Sequence, residues 1–269
     1  MNNAKGVALI ISTFEQPEYL ARVLAGVDRQ TRAPDELLVA DDGSGEETRR
    51  VFAEWAAGKS FRCEHVWQKH EGFRKARVLN EAIAKARSEY IVFLDGDTIP
   101  HEYFLADHLD LAGPGRFVQG HRALVGQRAA ADFGKDGRAP ARLRTLLAGQ
   151  LSGAANVFRW PMAMKSWPKD LRGVRGCNFA VWRADLLRVN GHNEAFTGWG
   201  REDAELAARL MNAGVRRMDA RGRALCYHLW HPPANRAGLP ANDELLAAAV
   251  AESRQRCEMG LDKHLPQPA

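Results

Sequence analysis

The sequence predicts an α/β fold: a doubly wound, mostly parallel sheet with helices on both faces. Three observations carry that prediction. Nearly unbroken apolar runs recur along the first part of the chain, as GVALIIST, ELLVADDGS and EYIVFLDGD, the pattern of strands covered on both sides. Between them lie stretches whose apolar residues fall at helical spacing. The runs end in small polar or acidic clusters, Ser12-Thr13, Asp41-Asp42-Gly43-Ser44 and Asp95-Gly96-Asp97. Such strand-helix alternation builds parallel β-α-β units.

Taken in order, GVALIIST is the first strand, and Pro17 opens a helix carrying Leu20, Val23, Leu24 and Val27 on one side. ELLVADDGS is a second strand running into a turn. EETRRVFAEWAAGK is a helix expected to close at Gly58. RCEHVWQK is the third strand. FRKARVLNEAIAKARS is an amphipathic helix with Val78, Leu79, Ala82, Ile83 and Ala86 aligned, and EYIVFLDGD is the fourth strand. Residues 121–172 are rich in Gly, Ala and Arg, helical in places (ARLRTLLAG), and read as an irregular elaboration inserted before the last part of the fold. GCNFAVW then reads as a strand and ADLLRVNG as a short helix. EDAELAARLMNAG is a helix with Leu206, Leu210 and Met211 inward and Gly214 as its cap. VRRMDARGRALCYHLWH returns as extended chain, and a polar, partly helical tail follows Pro232.

Composition narrows the classes of function. The chain has 269 residues, 45% hydrophobic and 26% charged, as in an ordinary globular protein with a sizeable core. GVALII is too short to span a bilayer and lacks the shape of a signal peptide, so a cytoplasmic setting, or one peripheral to an inner membrane, is expected. Four scattered cysteines without a C-x-x-C pair exclude a zinc ribbon and a disulfide framework. The net charge of +5 is concentrated: between His121 and Arg175 there are eleven Lys and Arg against three Asp. That surface suits an anionic partner, a phosphorylated acceptor or a lipid headgroup. Nucleic acid is not expected, because no recognised binding motif accompanies the charge.

In an open α/β sheet, ligands bind beyond the carboxyl ends of the strands. The polar strand ends are therefore expected to share one crevice, although each alone is an ordinary turn composition. Carboxylates gathered there repel one another unless a cation or hydrogen-bond donors join them. No G-x-G-x-x-G or G-x-x-x-x-G-K-[ST] loop is present to hold phosphate. A divalent ion on Asp97 supplies the missing charge, Mg²⁺ or Mn²⁺ being hard, oxygen-seeking cations. Mn²⁺ also accepts imidazole, and YHLWHPP offers His228, His231 or both as further ligands.

Two long stretches, VALIISTF through VADDGSGEET to GFRKARVLNEAIAKARSEYIVFLDGDTIP, and RGCNFAVWRADLLRVNGHNEAFTGWGREDAEL with the histidines after it, resemble the inverting family 2 glycosyltransferases of the GT-A fold. The second stretch is similar to the galactosyltransferase-type segment of β-1,4-galactosyltransferases and bacterial chondroitin-type polymerases. The resemblance covers residues 7–110 and 173–232, and the pairing of Asp-x-Asp with a later Trp-Gly-x-Glu-Asp makes it specific. It implies that Thr13, Phe14 and Glu15 line the nucleotide base and that Asp42 accepts a hydrogen bond from uracil. Phe73 and Lys75 would touch base, ribose or diphosphate, Asp95 the ribose or sugar, and Asp97 the metal. Gly176, Asn178 and Trp199 would flank the donor sugar. Glu202 would hold a sugar hydroxyl, Asp203 would be the general base, and His228 best matches the late metal ligand.

The implied reaction moves a hexose or N-acetylhexosamine from a UDP-sugar to a glycan or glycolipid acceptor, in a setting such as bacterial lipopolysaccharide core or capsule synthesis. With no repeat or linker in sight, residues 1–269 are expected to form one domain: a nucleotide-binding half over 1–115, a donor- and acceptor-binding half over 116–235, and a tail over 236–269. Residues 121–172 lie outside the resemblance and are expected to carry acceptor choice. Two other classes compete. A glycoside hydrolase needs carboxylates across the scissile bond, which adjacent Glu202 and Asp203 do not provide. A non-catalytic sugar-nucleotide or glycan-binding module would need neither the acidic pair nor the metal set.

Overall fold

The computed structural model describes residues 6–135, 140–153, 156–160 and 162–266. Its first half follows the predicted alternation. Strand β1 (Val7–Thr13) leads to helix α1 (Pro17–Asp28), β2 (Glu36–Asp41) to α2 (Glu46–Ala56), β3 (Arg62–Trp67) to α3 (Lys75–Lys85), and α3 to β4 (Tyr90–Asp95). In β1 and β4 the side chains alternate between two cores. Leu9, Ile11 and Val92 pack with Leu20, Leu24 and Phe52, while Ala8, Ile10 and Phe93 pack with Val78, Leu79 and Ile83. Helices thus cover both faces. The α2 boundary differs from expectation: the helix ends at Ala56 with Ala57 as its cap, and Gly58 is not among the left-handed glycines. Gly214, at φ +85°, does take that conformation one residue beyond the cap of the later helix.

The second half is less regular. It comprises β5 (Thr98–Pro100), α4 (Phe104–Leu111), β6 (Arg116–Gly120), β7 (Arg122–Val125), α5 (Gln127–Ala130) and α6 (Arg142–Leu147). Then come β8 (Leu151–Ser152), β9 (Met164–Ser166), β10 (Asn178–Trp182), α7 (Arg183–Val189) and α8 (Glu202–Asn212). Strands β11 (Arg216–Arg221) and β12 (Cys226–His228) and helix α9 (Leu239–Ala251) complete the series. The main sheet has the order β3-β2-β1-β4-β10-β6-β11-β9 and the smaller one β5-β12-β7-β8. Strands β3, β2, β1 and β4 are mutually parallel, whereas β10 runs antiparallel between β4 and β6.

Residues 121–172 are therefore more than an irregular insertion. Strands β7 and β8 build the smaller sheet and β9 edges the main one. Buried Asp107 on α4 fastens this region: it accepts bonds from the Arg159 and Arg223 guanidinium groups and the Ala224 main-chain N–H. Part of the basic segment, Arg138 included, lies outside the described residues. Among the described ones, Arg142 is held by Glu102 and the Tyr227 hydroxyl. No helix among the described residues is long and apolar enough to cross a membrane.

Candidate active site

A cavity of about 1230 Å³ opens at the carboxyl ends of β1 and β4. Parallel register sets Ser12 beside Asp95, and the Ser12 hydroxyl donates to Asp95 Oδ1 at 2.8 Å. Lys75, at the start of α3, reaches the same oxygen at 2.8 Å. Burial works against the lysine's charge, but Asp95, Asp203 and Glu202 outweigh it and hold its pKa well above the ordinary value. Lys75 is therefore a fixed cation among carboxylates.

The opposite wall is the first turn of α8. Gly198 and Gly200 have φ of +76° and +106°, which fits the loop's need for glycine at both positions. Arg201, at the helix N-cap, also has a positive φ of 78°, a strained conformation of the kind that gathers at functional sites. Glu202 and Asp203 follow directly and face the cavity. Asp203 Oδ2 accepts the Gly176 N–H at 2.6 Å, and a Cβ at Gly176 would lie 2.4 Å from Oδ1, so only glycine admits this approach. Oδ1 itself is buried with no partner. Burial raises the Asp203 pKa against the pull of Lys75. Burial and the Asp203 charge push Glu202 up to about 7.

Asp97, His228 and His231 form the third element. Strand β12 pairs with β5 so that His228 lies opposite Thr98, beside Asp97. One ligand atom from each of the three residues lies within 4.8 Å of the others. His231 Nδ1 donates to the Pro232 carbonyl at 2.7 Å, which leaves Nε2 facing Asp97 Oδ2 at 3.2 Å. Burial lowers the His228 pKa and favours the neutral, ligating form. A carboxylate with two imidazoles is a donor set that fits a divalent metal ion.

The predicted site residues separate into two groups. Thr13, Phe14, Phe73, Lys75, Asp95, Asp97, Gly176, Trp199, Glu202, Asp203, His228 and His231 line the one cavity. Phe14, 40% exposed, lies flat against His70 with ring centroids 4.3 Å apart. Asn178, Asp42 and Glu15 are placed elsewhere. Asn178 is 1% exposed, donates to the His121 and Ala224 carbonyls and pairs through Oδ1 with His108, so it bonds three segments of the fold together. Asp42 spends both oxygens on the Gln68 amide and the Arg74 N–H, fixing the GFRK loop behind the cavity. Glu15 turns its carboxylate to the Gly45 N–H at the start of α2. Asp41 likewise holds its own turn and His65. The second acidic strand end thus bonds within the fold, and the first and fourth strand ends line the cavity.

Sequence reasoning missed Arg122, Arg236 and the tail. Arg122 lines the cavity from β7, and the Arg236 guanidinium lies 5.0 Å from the Trp199 ring centroid. Buried Asn242 of α9 donates to the Thr197 and Gly200 carbonyls, and Asp243 pairs with Arg201. The tail thereby braces the loop that presents Trp199, Glu202 and Asp203. Its polar, weakly patterned sequence gives no hint of this.

Two family models match the chain: "Glycosyl transferase family 2" over residues 8–186 and "N-terminal domain of galactosyltransferase" over residues 160–231. The chain is 26% identical over 243 residues to chondroitin synthase of Escherichia coli, covering 83% of this chain and 34% of that one. It is 29% identical over 236 residues to validoxylamine A glucosyltransferase of Streptomyces hygroscopicus subsp. limoneus, covering 78% of this chain and 48% of that one. It thus spans less than half the length of these curated relatives. Among solved structures, S. aureus TarS superposes with a TM-score of 0.65 at 13% identity, covering 96% of this chain and 41% of that one. A mannosyltransferase from Pyrobaculum calidifontis in complex with GDP-Man and Mn²⁺ gives 0.56 at 19%, covering 92% and 71%. The fold is that of the GT-A glycosyltransferases.

Proposed function

Since the chain belongs to glycosyltransferase family 2, we propose that it transfers a hexose or N-acetylhexosamine from a UDP-sugar to a glycan hydroxyl, with inversion and with a divalent ion. One observation carries this reading. Asp203, which has a buried carboxylate oxygen without a partner, lines the same cavity as the Asp97–His228–His231 cluster. A base and a cation site in one cavity suit displacement of an anionic leaving group.

The uracil ring stacks on Phe14, which His70 backs from behind. Lys75 and Asp95 hold the ribose and phosphate side. Asp97 with His228 and His231 holds Mn²⁺ or Mg²⁺, which when bound offsets the negative charge of the diphosphate. The sugar lies against Trp199 and Gly176, and Glu202 accepts one of its hydroxyls. Asp203 Oδ1 takes the proton of the acceptor hydroxyl as that oxygen attacks the anomeric carbon. The bond to the β-phosphate oxygen breaks, UDP departs with the electron pair, and one displacement inverts the anomeric configuration. The Gly176 N–H keeps Oδ2 engaged, which leaves Oδ1 as the oxygen to take the proton. Desolvation of Asp203 strengthens it as a base.

The acceptor is a glycan or glycolipid bearing anionic groups, in surface-polysaccharide synthesis. The polysaccharide synthases among the curated relatives and the arginines at the cavity mouth, Arg172 and Arg175, support that assignment. The test is a panel of UDP-sugars titrated calorimetrically with Mn²⁺, followed by UDP release with glycan acceptors. Saturable binding of one UDP-sugar with acceptor-dependent UDP release is expected. Binding without release would favour the binding module, and absence of UDP binding would exclude the donor.

A further inference from the structure

Arg122 is a cation in the wall of the cavity with an incomplete set of partners. Its Nη1 donates to the Cys177 sulfur at 3.3 Å, and among the described residues no carboxylate lies within ion-pair distance of it. A thiol is a weak acceptor, and burial pushes the Cys177 thiol up to about 11, so it remains uncharged. A guanidinium carries five N–H donors in a planar fork. Leaving a half-buried guanidinium poorly paired is costly, which the protein tolerates where a ligand completes the set.

Its position says which ligand. Strand β7 pairs with β12 so that Arg122 lies opposite Cys226, two residues before His228. Arg122 lines the same cavity as Asp97, His228 and His231 and as Asp203. It therefore shares one cavity with the metal-binding set and the base, where the bond between sugar and diphosphate would break.

We infer that Arg122 binds the β-phosphate of the nucleoside diphosphate and stabilises the charge it gains on departure. The inference rests on the UDP-sugar reading and adds a second cation to the leaving-group site. It also explains why the strand end near the metal set can dispense with a phosphate-binding glycine loop: a strand-borne guanidinium supplies paired donors with a fixed direction.

The experiment compares UDP with UMP, which lacks the β-phosphate, by calorimetry in Mn²⁺. In the wild type UDP binds more tightly than UMP. Arg122→Gln is expected to reduce the UDP-to-UMP affinity ratio about tenfold or more, as for loss of a charge-assisted pair, with UMP affinity held within about twofold. If the glutamine variant does not unfold cooperatively like the wild type, Arg122→Lys serves instead. It keeps the charge but not the fork, and a ratio reduced about threefold or more is expected. An unchanged ratio in a folded variant overturns the assignment of Arg122 while leaving the donor reading intact. Failure of the wild type to bind UDP at all overturns both.

Discussion

The two walls of the cavity are built by opposite means. The wall formed by β1, β4 and α3 stands on side chains buried in two cores, and its polar groups are fixed by neighbours close in the fold, such as Ser12 on Asp95. The wall formed by residues 197–246 stands on a glycine-rich loop and is held from outside by α9, through Asn242 and Asp243. The first wall is fixed by core packing, and the 197–201 loop of the second by bonds from α9. Damage to the first should unfold the protein, and damage to the second should misplace its chemistry.

The largest effect is expected in the first wall. Ile10→Ala, at a fully buried β1 position, should lower the unfolding free energy by about 2–5 kcal/mol, measured by urea titration. A cost comparable to that of a surface change would break the contrast. Next comes Asp97→Ala at the junction of the walls. UDP affinity in Mn²⁺ should fall to the value measured in EDTA, and wild-type affinity that ignores the metal would count against the cluster.

Asn242→Ala tests the second wall alone. The Thr197 and Gly200 carbonyls lose their clamp, so kcat should fall about tenfold while UDP affinity and cooperative unfolding hold. Equal losses in kcat and UDP binding would make α9 merely structural.

The two walls also differ in how far the sequence announces them. VALIIST and EYIVFLD can hardly be anything but covered strands, so the first sheet half was legible together with its helices. TGWGREDAEL was legible through resemblance, since an acidic first turn is otherwise a common helix start. Local pattern could not show that Asp41 bonds His65, that Asp42 holds the GFRK loop, or that Asn178 bonds three segments far apart in sequence, because those bonds are tertiary. Arg122 and Asn242 were invisible for the same reason: an arginine in a basic stretch and an asparagine in a polar tail carry no periodic signal. The short strands β5, β8 and β9, of two or three residues, fall below the length at which alternation is readable.

Two smaller effects refine the contrast. Glu202 is held near pH 7, above its unfolded value, so the folded protein binds its proton more tightly. The stability this contributes is complete below the unfolded pKa and is lost as pH rises through about 7. Glu202→Gln should flatten the stability–pH curve between about pH 4.3 and 7, and an unaltered curve would contradict the burial of this carboxyl. Asp243→Asn removes the exposed pair with Arg201 and should cost under about 1 kcal/mol, readable as a small shift in Tm. A larger loss would show that α9 is held by this pair more than by Asn242.

The most direct test is Asp203→Asn, which keeps the shape of the side chain and removes its basicity. The UDP-sugar that binds best, titrated with Mn²⁺, should bind the variant within about threefold of the wild type, while acceptor-dependent UDP release falls about 10²–10⁴-fold. Release at the wild-type rate from a folded, donor-binding variant would contradict the assignment of Asp203 as the base.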